Sequence, residues 1–394
     1  MPDPANLRAR AALRIEGFGT SIFTEMSRLA LVHKALNLGQ GFPDFPAPEF
    51  IKEAAKRAID ANHNQYAPAI GIGRLRHAVA ARWMKKHATG FDADTEITVT
   101  QGATEALFCT TLALCNPGDE VILFEPAYDA YAPDVRLAGG SPRFVQLHPP
   151  DFRIDEIALR AAITPRTRLI VINSPHNPTG KVFSTAELDL IAKLCVEHDL
   201  VALSDEVYSE MVYGDAVHVP LCTRPGMRDR TVTIDSIGKT FSVTGWKIGW
   251  TLAASELTHA IRATHQWVTF CNATPFQEAA ADALQEAETN GYYPSLVQAY
   301  GVRRGKLQHS LAAANLNCLP IAGSYFLLAD ISKTAFPNDV DFCRHLLLEA
   351  GVAAIPPSAF YANPADTPPL VRFCFAKSDA VLDEAAVRLS RCRF

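Results

Sequence analysis

Four things are scarce in these 394 residues: paired cysteines, long apolar runs, clustered positive charge and repetition. The nine cysteines, Cys109, Cys115, Cys195, Cys222, Cys271, Cys318, Cys343, Cys374 and Cys392, are scattered and never spaced as C-x-x-C. That pattern argues against a disulfide framework and a zinc ribbon, and it suits small core residues in a reducing cytoplasm. No stretch is long and apolar enough to span a bilayer, and the opening run MPDPANLRARAALRIEG carries charges where a secretory leader needs an apolar core. The expectation is an intracellular protein free of the membrane. Lys and Arg number 37 against 42 Asp and Glu, a formal net charge of −5, with no basic run that could track a phosphate backbone, which excludes nucleic acid as a partner. Internal repeats, low-complexity tracts and long linkers are also absent.

What is present is alternation. The short apolar runs EITVTQG, EVILFEP, TRLIVINSP, LVALSDEV and TVTIDSIGK are separated by helical patterns at Ala103 to Leu114, Ala127 to Ala138 and Thr185 to His198. Such βαβ units predict a buried parallel sheet with helices on both faces. Ser184 followed by Glu187 is a capping-box signature for the last of these helices. WKIGWTLA reads as one more strand, followed by helix through Ser255 to Gln285. From Tyr325 onward SYFLLADI and LVRFCFA mark a smaller α+β unit. The division expected is residues 1–45 as an amino-terminal segment belonging to the small domain, 46–286 as a large domain, and 287–394 as the carboxy-terminal small domain.

Chemistry concentrates after the strands. In SIGKTFSVTGWKIGW, Lys239 follows a strand among small residues, in a loop, where a desolvated amine is a usable Schiff-base nucleophile. Asp205 ends a strand buried on both faces, where a carboxylate needs a cation such as a protonated pyridinium nitrogen. Tyr208 and Asn177, the latter held in the NSPHNPTG turn, can address a phenolic oxygen on the same ring. Gly102, Ala103 and Thr104 open a helix after a strand, and their N–H groups and hydroxyl can face a phosphate, with Ser236 and Lys247 completing the cup. Glu105 is expected to point away from that anion. Tyr128 in EPAYDAY can stack on the ring, while His176 carries no assigned role. Arg372 lies in a strand whose two faces are both apolar, so its guanidinium demands an anion, and an α-carboxylate gripped bidentately would satisfy it. Read singly, each has an ordinary alternative: a surface lysine, a helix cap or structural ion pair at Asp205, packing for the tyrosines, a plain turn at N-P-T-G, a salt bridge at Arg372.

Taken together and in order, NLGQGFPDFP, GATEALF, EPAYDAY, SPHNPTG, SDEVY, SIGKTFSVTGWKIGW, GSYF and VRFCF resemble the class I and II aminotransferases of pyridoxal 5'-phosphate (PLP) fold type I, most closely the kynurenine/glutamine transaminase and methionine aminotransferase group. The resemblance implies an α/β chain with a mainly parallel seven-stranded sheet flanked by helices plus a smaller α+β domain. It also implies a homodimer with active sites at the subunit interface. It carries the Schiff base to Lys239, the pyridinium partner to Asp205, phenolic-oxygen contacts to Asn177 and Tyr208, and stacking to Tyr128. Phosphate contacts fall to Ala103, Thr104, Ser236 and Lys247, with Tyr66 reaching in from the partner. The substrate carboxylate falls to Arg372, Asn177 and the Gly41 backbone, and the side-chain pocket to Phe23 and to Phe270 of the neighbour. The implied reaction moves an amino group from a neutral, sulfur-containing or aromatic L-amino acid to a 2-oxo acid in two half-reactions. A cysteine-S-conjugate β-lyase, an N-succinyldiaminopimelate-type aminotransferase and a catalytically silent PLP-binding sensor are the alternatives.

Overall fold

A computed structural model describes residues 12–15, 18–392 and 394. Most of the charged amino-terminal run therefore lies outside the described residues. The strands, in chain order, are β1 (Leu36–Asn37), β2 (Ile97–Gln101), β3 (Glu120–Glu125), β4 (Ser141–Gln146), β5 (Thr167–Asn173), β6 (Val201–Asp205), β7 (Thr231–Ser236), β8 (Ile248–Leu252), β9 (Asn317–Cys318), β10 (Phe326–Asp330), β11 (Val352–Ala353) and β12 (Leu370–Cys374). Seven of them form one sheet in the order β2-β8-β7-β6-β5-β3-β4. Its pairs are parallel except those made by β8, which runs antiparallel to both β2 and β7.

The period-two rule explains why these strands read as continuous apolar runs. Ile122, Phe124, Ile170 and Ile172 enter the core on one face, while Val121, Leu123, Leu169 and Val171 enter the core on the other. Each such side chain contributes roughly 1.5–3 kcal/mol on burial. The helix Thr185–Glu197 starts as expected: Ser184 Oγ accepts from Glu187 N at 3.3 Å, and Glu187 Oε2 accepts from Ser184 N at 2.9 Å.

A second, smaller layer carries the antiparallel sheet β12-β10-β9 and the parallel pair β1-β11. Its core unites Met26, Ala30 and Leu38 with Leu307, Phe342, Phe373 and Leu389, so the segment after residue 21 packs with the far end of the chain. Among the described residues no helix is long and apolar enough to cross a membrane. All nine cysteines are free.

Three expectations need correction. The helix predicted from Ala127 begins at Tyr131, because Ala127 N bonds to Phe360 O at 2.8 Å and Tyr128 turns toward the cavity described below. The helix predicted through Ser255 to Gln285 is two helices, Ser255–Val268 and Thr274–Ala287. Phe270 between them has φ 70°, a left-handed conformation that ends a helix, and Pro275, which has no N–H to give, is tolerated only in the first turn of the next. Lys239 sits in a one-turn helix, Ile237–Thr240, rather than in an open loop.

Candidate active site

The parallel strands β5, β6 and β7 deliver Asn173, Asp205 and Ser236 to one edge of the large sheet. Because β8 runs the other way, its start pairs with the end of β7, Ser236 opposite Gly249, and with the end of β2, Gln101 opposite Ile248. Lys247 and the helix start Gly102–Thr104 therefore reach the same edge. Backbones meet there: a Cβ at Gly249 would lie 2.7 Å from the Gly102 carbonyl carbon and 2.8 Å from Ala103 N, so only glycine fits. Gly102 itself has φ 68°.

A cavity of about 330 Å³ opens over this edge. Its floor includes Ala103, Thr104, Ser236, Lys239 and Lys247, its side wall Tyr128, Asn177, Asp205 and Tyr208, and its far wall Phe23, Gly41 and Arg372. Lys239 Nζ donates to Gly41 O at 3.1 Å, and burial pulls its pKa down to about 8. Lys247 Nζ donates to Thr104 Oγ1 at 3.2 Å, and burial lowers its pKa as well.

Asp205 is buried and forms no ion pair among the described residues. Burial pushes its pKa up to about 6, against the hydrogen bond that Tyr131 donates to Oδ2 at 2.7 Å. Tyr131 has no signal of its own in EPAYDAY, because the turn before the helix, not the local sequence, decides that its ring and not that of Tyr128 reaches the carboxylate. Tyr208 packs edge-on against Tyr325, whose hydroxyl donates to Gly41 O at 2.6 Å.

Arg372 is fully buried. Its Nη1 donates to Asn177 Oδ1 and its Nη2 to Gly39 O, both at 2.8 Å, while Nε has no partner among the described residues. Phe326 lies 4.1 Å from the guanidinium carbon, with Phe360 at 5.0 Å and Phe23 at 5.1 Å. Asp129 acts on it only through space, and burial draws its pKa down to about 10. The structural salt bridge that could have explained Arg372 is thus not formed. Since a guanidinium only donates, Asn177 must turn its oxygen to Arg372, which leaves its amide N–H₂ free to address the cavity. Asn177 N in turn donates to Asn173 Oδ1 at 2.7 Å, fixing the turn.

Tyr66 and Phe270 do not line this cavity. Both are exposed, Tyr66 at 85%, and they touch edge to face with centroids 5.6 Å apart. Glu105 points away from the floor, as expected, toward His265 at 2.6 Å. His176 is buried and bonded to Thr179 at 2.8 Å, a structural tie within its own turn.

A buried carboxylate without a cation and a buried guanidinium without an acid among the described residues, a lysine with a lowered pKa, and the donors Thr104, Ser236 and Lys247 line one cavity. They fit a ligand that brings a basic ring nitrogen, a carbonyl and a phosphate, together with a second molecule bearing a carboxylate. The comparisons point the same way. The family "Aminotransferase class I and II" matches residues 33–389. Methionine aminotransferase of Escherichia coli is 42% identical over 376 residues, 95% of this chain and 97% of the relative. Kynurenine–oxoglutarate transaminase 1 of Rattus norvegicus is 38% identical over 411 residues, covering 96% and 97%. The solved structure of N-succinyldiaminopimelate aminotransferase from Mycobacterium tuberculosis superposes with a TM-score of 0.93 at 43% identity, over 97% of this chain and 99% of that one.

Proposed function

The chain belongs to the class I and II aminotransferase family, and from that premise we propose that its donor is a neutral, sulfur-containing or aromatic L-amino acid and that the residues above divide the work as follows. The protein is a PLP-dependent aminotransferase of fold type I. When bound, PLP supplies an aldehyde that condenses with amines and a ring that draws electron density from the substrate.

Lys239, lining the cavity, would be the residue that holds the cofactor, and its free amine would be the group that takes the proton from the substrate α-carbon. Its lowered pKa leaves a useful fraction of free amine near neutrality. Asp205, oriented by Tyr131, would pair with the cofactor's ring nitrogen and stabilise its proton. Asn177 Nδ2 and the Tyr208 hydroxyl would address the cofactor's phenolic oxygen, and Tyr128 would lie against its ring. Ala103 N, Thr104, Ser236 and Lys247 would hold its phosphate. Arg372, with Asn177 and the Gly41 backbone, orients the α-carboxylate.

The observation that carries this reading is Arg372: among the described residues its buried guanidinium bonds only to neutral oxygens, and its Nε has no partner. Around it Phe23, Phe326 and Phe360 favour an apolar side chain over a second carboxylate. The cations lining the cavity, Lys239, Lys247 and Arg372, all have tasks already.

Two copies complete the site. Tyr66 and Phe270 lie outside their own cavity, on a face that also exposes Trp267 at 84%, and this supports a homodimer in which each copy lends Tyr66 to its partner's phosphate and Phe270 to its substrate pocket. Residues 46–286 then form the cofactor-binding domain, and 1–45 with 287–394 the smaller one. Nine free cysteines suit work in the cytoplasm.

The test is a donor panel with purified enzyme and a fixed 2-oxo acid. Methionine, glutamine, kynurenine and phenylalanine should be turned over with higher kcat/KM than aspartate or glutamate. A preference for N-succinyl-L,L-diaminopimelate, or pyruvate and ammonia released from cysteine without an added oxo acid, would overturn the assignment of donor.

A further inference from the structure

Beneath the phosphate cup lies a buried group the reaction does not use. Glu105, Cys109 and His265 place one ligand-type atom each within 4.8 Å of the others. Their polar atoms are engaged with one another and with the backbone, and the pattern is that of a strut rather than a metal site. Glu105 Oε2 accepts from Gln101 N, and Oε1 meets His265 Nδ1 at 2.6 Å. His265 Nε2 lies 2.7 Å from Ala69 O. A carbonyl can only accept, so Nε2 carries a proton, and the proton shared across Nδ1 makes an imidazolium facing a carboxylate. Burial opposes both charges, yet the pair's mutual attraction outweighs it, holding the carboxyl below and the imidazole above their ordinary values.

Both ends of the strut matter. Glu105 sits in the first turn of the helix Gly102–Leu114, directly after Ala103 and Thr104. Ala69 lies three residues beyond Tyr66, and Gln65 just before it is held by Thr274 Oγ1 at 2.5 Å. The His265 carbonyl accepts from Phe270 N at 3.2 Å, setting the left-handed turn that projects Phe270 beside Tyr66.

We propose that Glu105 and His265 are positioning residues that tie the phosphate-holding turn of one subunit to the two side chains, Tyr66 and Phe270, that the same subunit lends to its partner's active site. This rests on the dimer reading given above. The strut makes each subunit's cofactor cup and its contribution across the interface one mechanical unit, so a change at the pair acts in two active sites at once.

Hybrid dimers separate the two effects, because Lys239→Ala silences one site of a pair. With His265→Gln on the chain that keeps Lys239, the surviving site has an altered cup and a wild-type Tyr66 from its partner. With His265→Gln on the same chain as Lys239→Ala, the surviving site has a wild-type cup and receives Tyr66 and Phe270 from the altered chain. The first arrangement should weaken PLP affinity by about tenfold while leaving affinity for pyridoxal, which lacks phosphate, unchanged. The second should cut kcat/KM by about the same factor relative to the Lys239→Ala hybrid alone. Glu105→Gln, which keeps the shape of the side chain, should reproduce both at smaller size if His265→Gln proves unstable. A surviving site indifferent to the variant in the second arrangement would overturn the coupling, as would parallel losses of PLP and pyridoxal affinity in the first. Sedimentation of the wild-type holoenzyme as a monomer, or an unaffected hybrid carrying Tyr66→Phe with Lys239→Ala, would instead remove the dimer reading and the coupling with it.

Discussion

Two walls face each other across the cavity, and each carries one buried charge that its own neighbours leave unneutralised. On the sheet wall Asp205 is held by a tyrosine hydroxyl and a backbone N–H, and burial lifts its pKa to about 6. On the opposite wall Arg372 is held by an amide oxygen and a carbonyl, and burial lowers its pKa to about 10. A buried charge without a counter-ion is costly, and a fold tolerates two of opposite sign only if they are filled from outside. They are too differently built to be filled by one group. The sheet wall is rigid main chain and strand ends, suited to a resident cofactor, whereas the far wall is aromatic and borrowed from distant segments, suited to a visitor.

That contrast can be broken by substitution. The largest effect belongs to the amine between the walls: Lys239→Ala should lower kcat by about 10⁴-fold and abolish the visible absorption of bound cofactor, and near-normal turnover would refute its role. Next come the walls themselves. Asp205→Asn should lower kcat by about 10²–10³-fold with KM little changed. Arg372→Ala should raise KM for the amino acid by about 10²-fold while cofactor affinity stays within a few-fold. If Arg372→Ala weakened cofactor binding as much as Asp205→Asn does, the division into resident and visitor sides would be wrong.

The pH dependence of cofactor capture sharpens the picture further. Burial favours the neutral amine of Lys239, so its deprotonated fraction rises through about pH 8 instead of 10.5. The rate of capture by the cofactor-free enzyme should climb about tenfold between pH 7 and pH 9 and then level off. Stopped-flow traces still rising at pH 10 would contradict this. Last is Tyr131→Phe, which removes one hydrogen bond to the Asp205 carboxylate worth about 1.5 kcal/mol. Cofactor affinity should fall about tenfold, measured by fluorescence quenching, while KM for the donor stays put.

The resident side was the more legible in the sequence. Asp205 and Ser236 end buried strands and Lys239 and Asn177 follow them, and strands that are apolar on both faces announce themselves by composition alone. Arg372 was legible for the same reason, as a cation stranded between two apolar faces. What escaped notice was set by tertiary contact. Tyr131 lies in a helix that starts later than its pattern indicates. His265 sits on an amphipathic helix where a histidine looks unremarkable until Glu105, 160 positions earlier, closes on it. The edge strand β4 alternates exposed and half-buried residues and lacks the apolar run that gave its neighbours away.

The contact between Gly249 and the Gly102–Ala103 backbone has a consequence for how such an enzyme can change. Where main chain rests on main chain there are no side chains to vary, so that region is closed to mutational exploration: Gly249→Ala should yield protein unable to retain its vitamin. Diversification toward new amino donors is left to the aromatic lining opposite, at Phe23 and Phe326. A laboratory lineage selected for a bulkier or smaller donor should accumulate its first changes there and keep the glycines untouched.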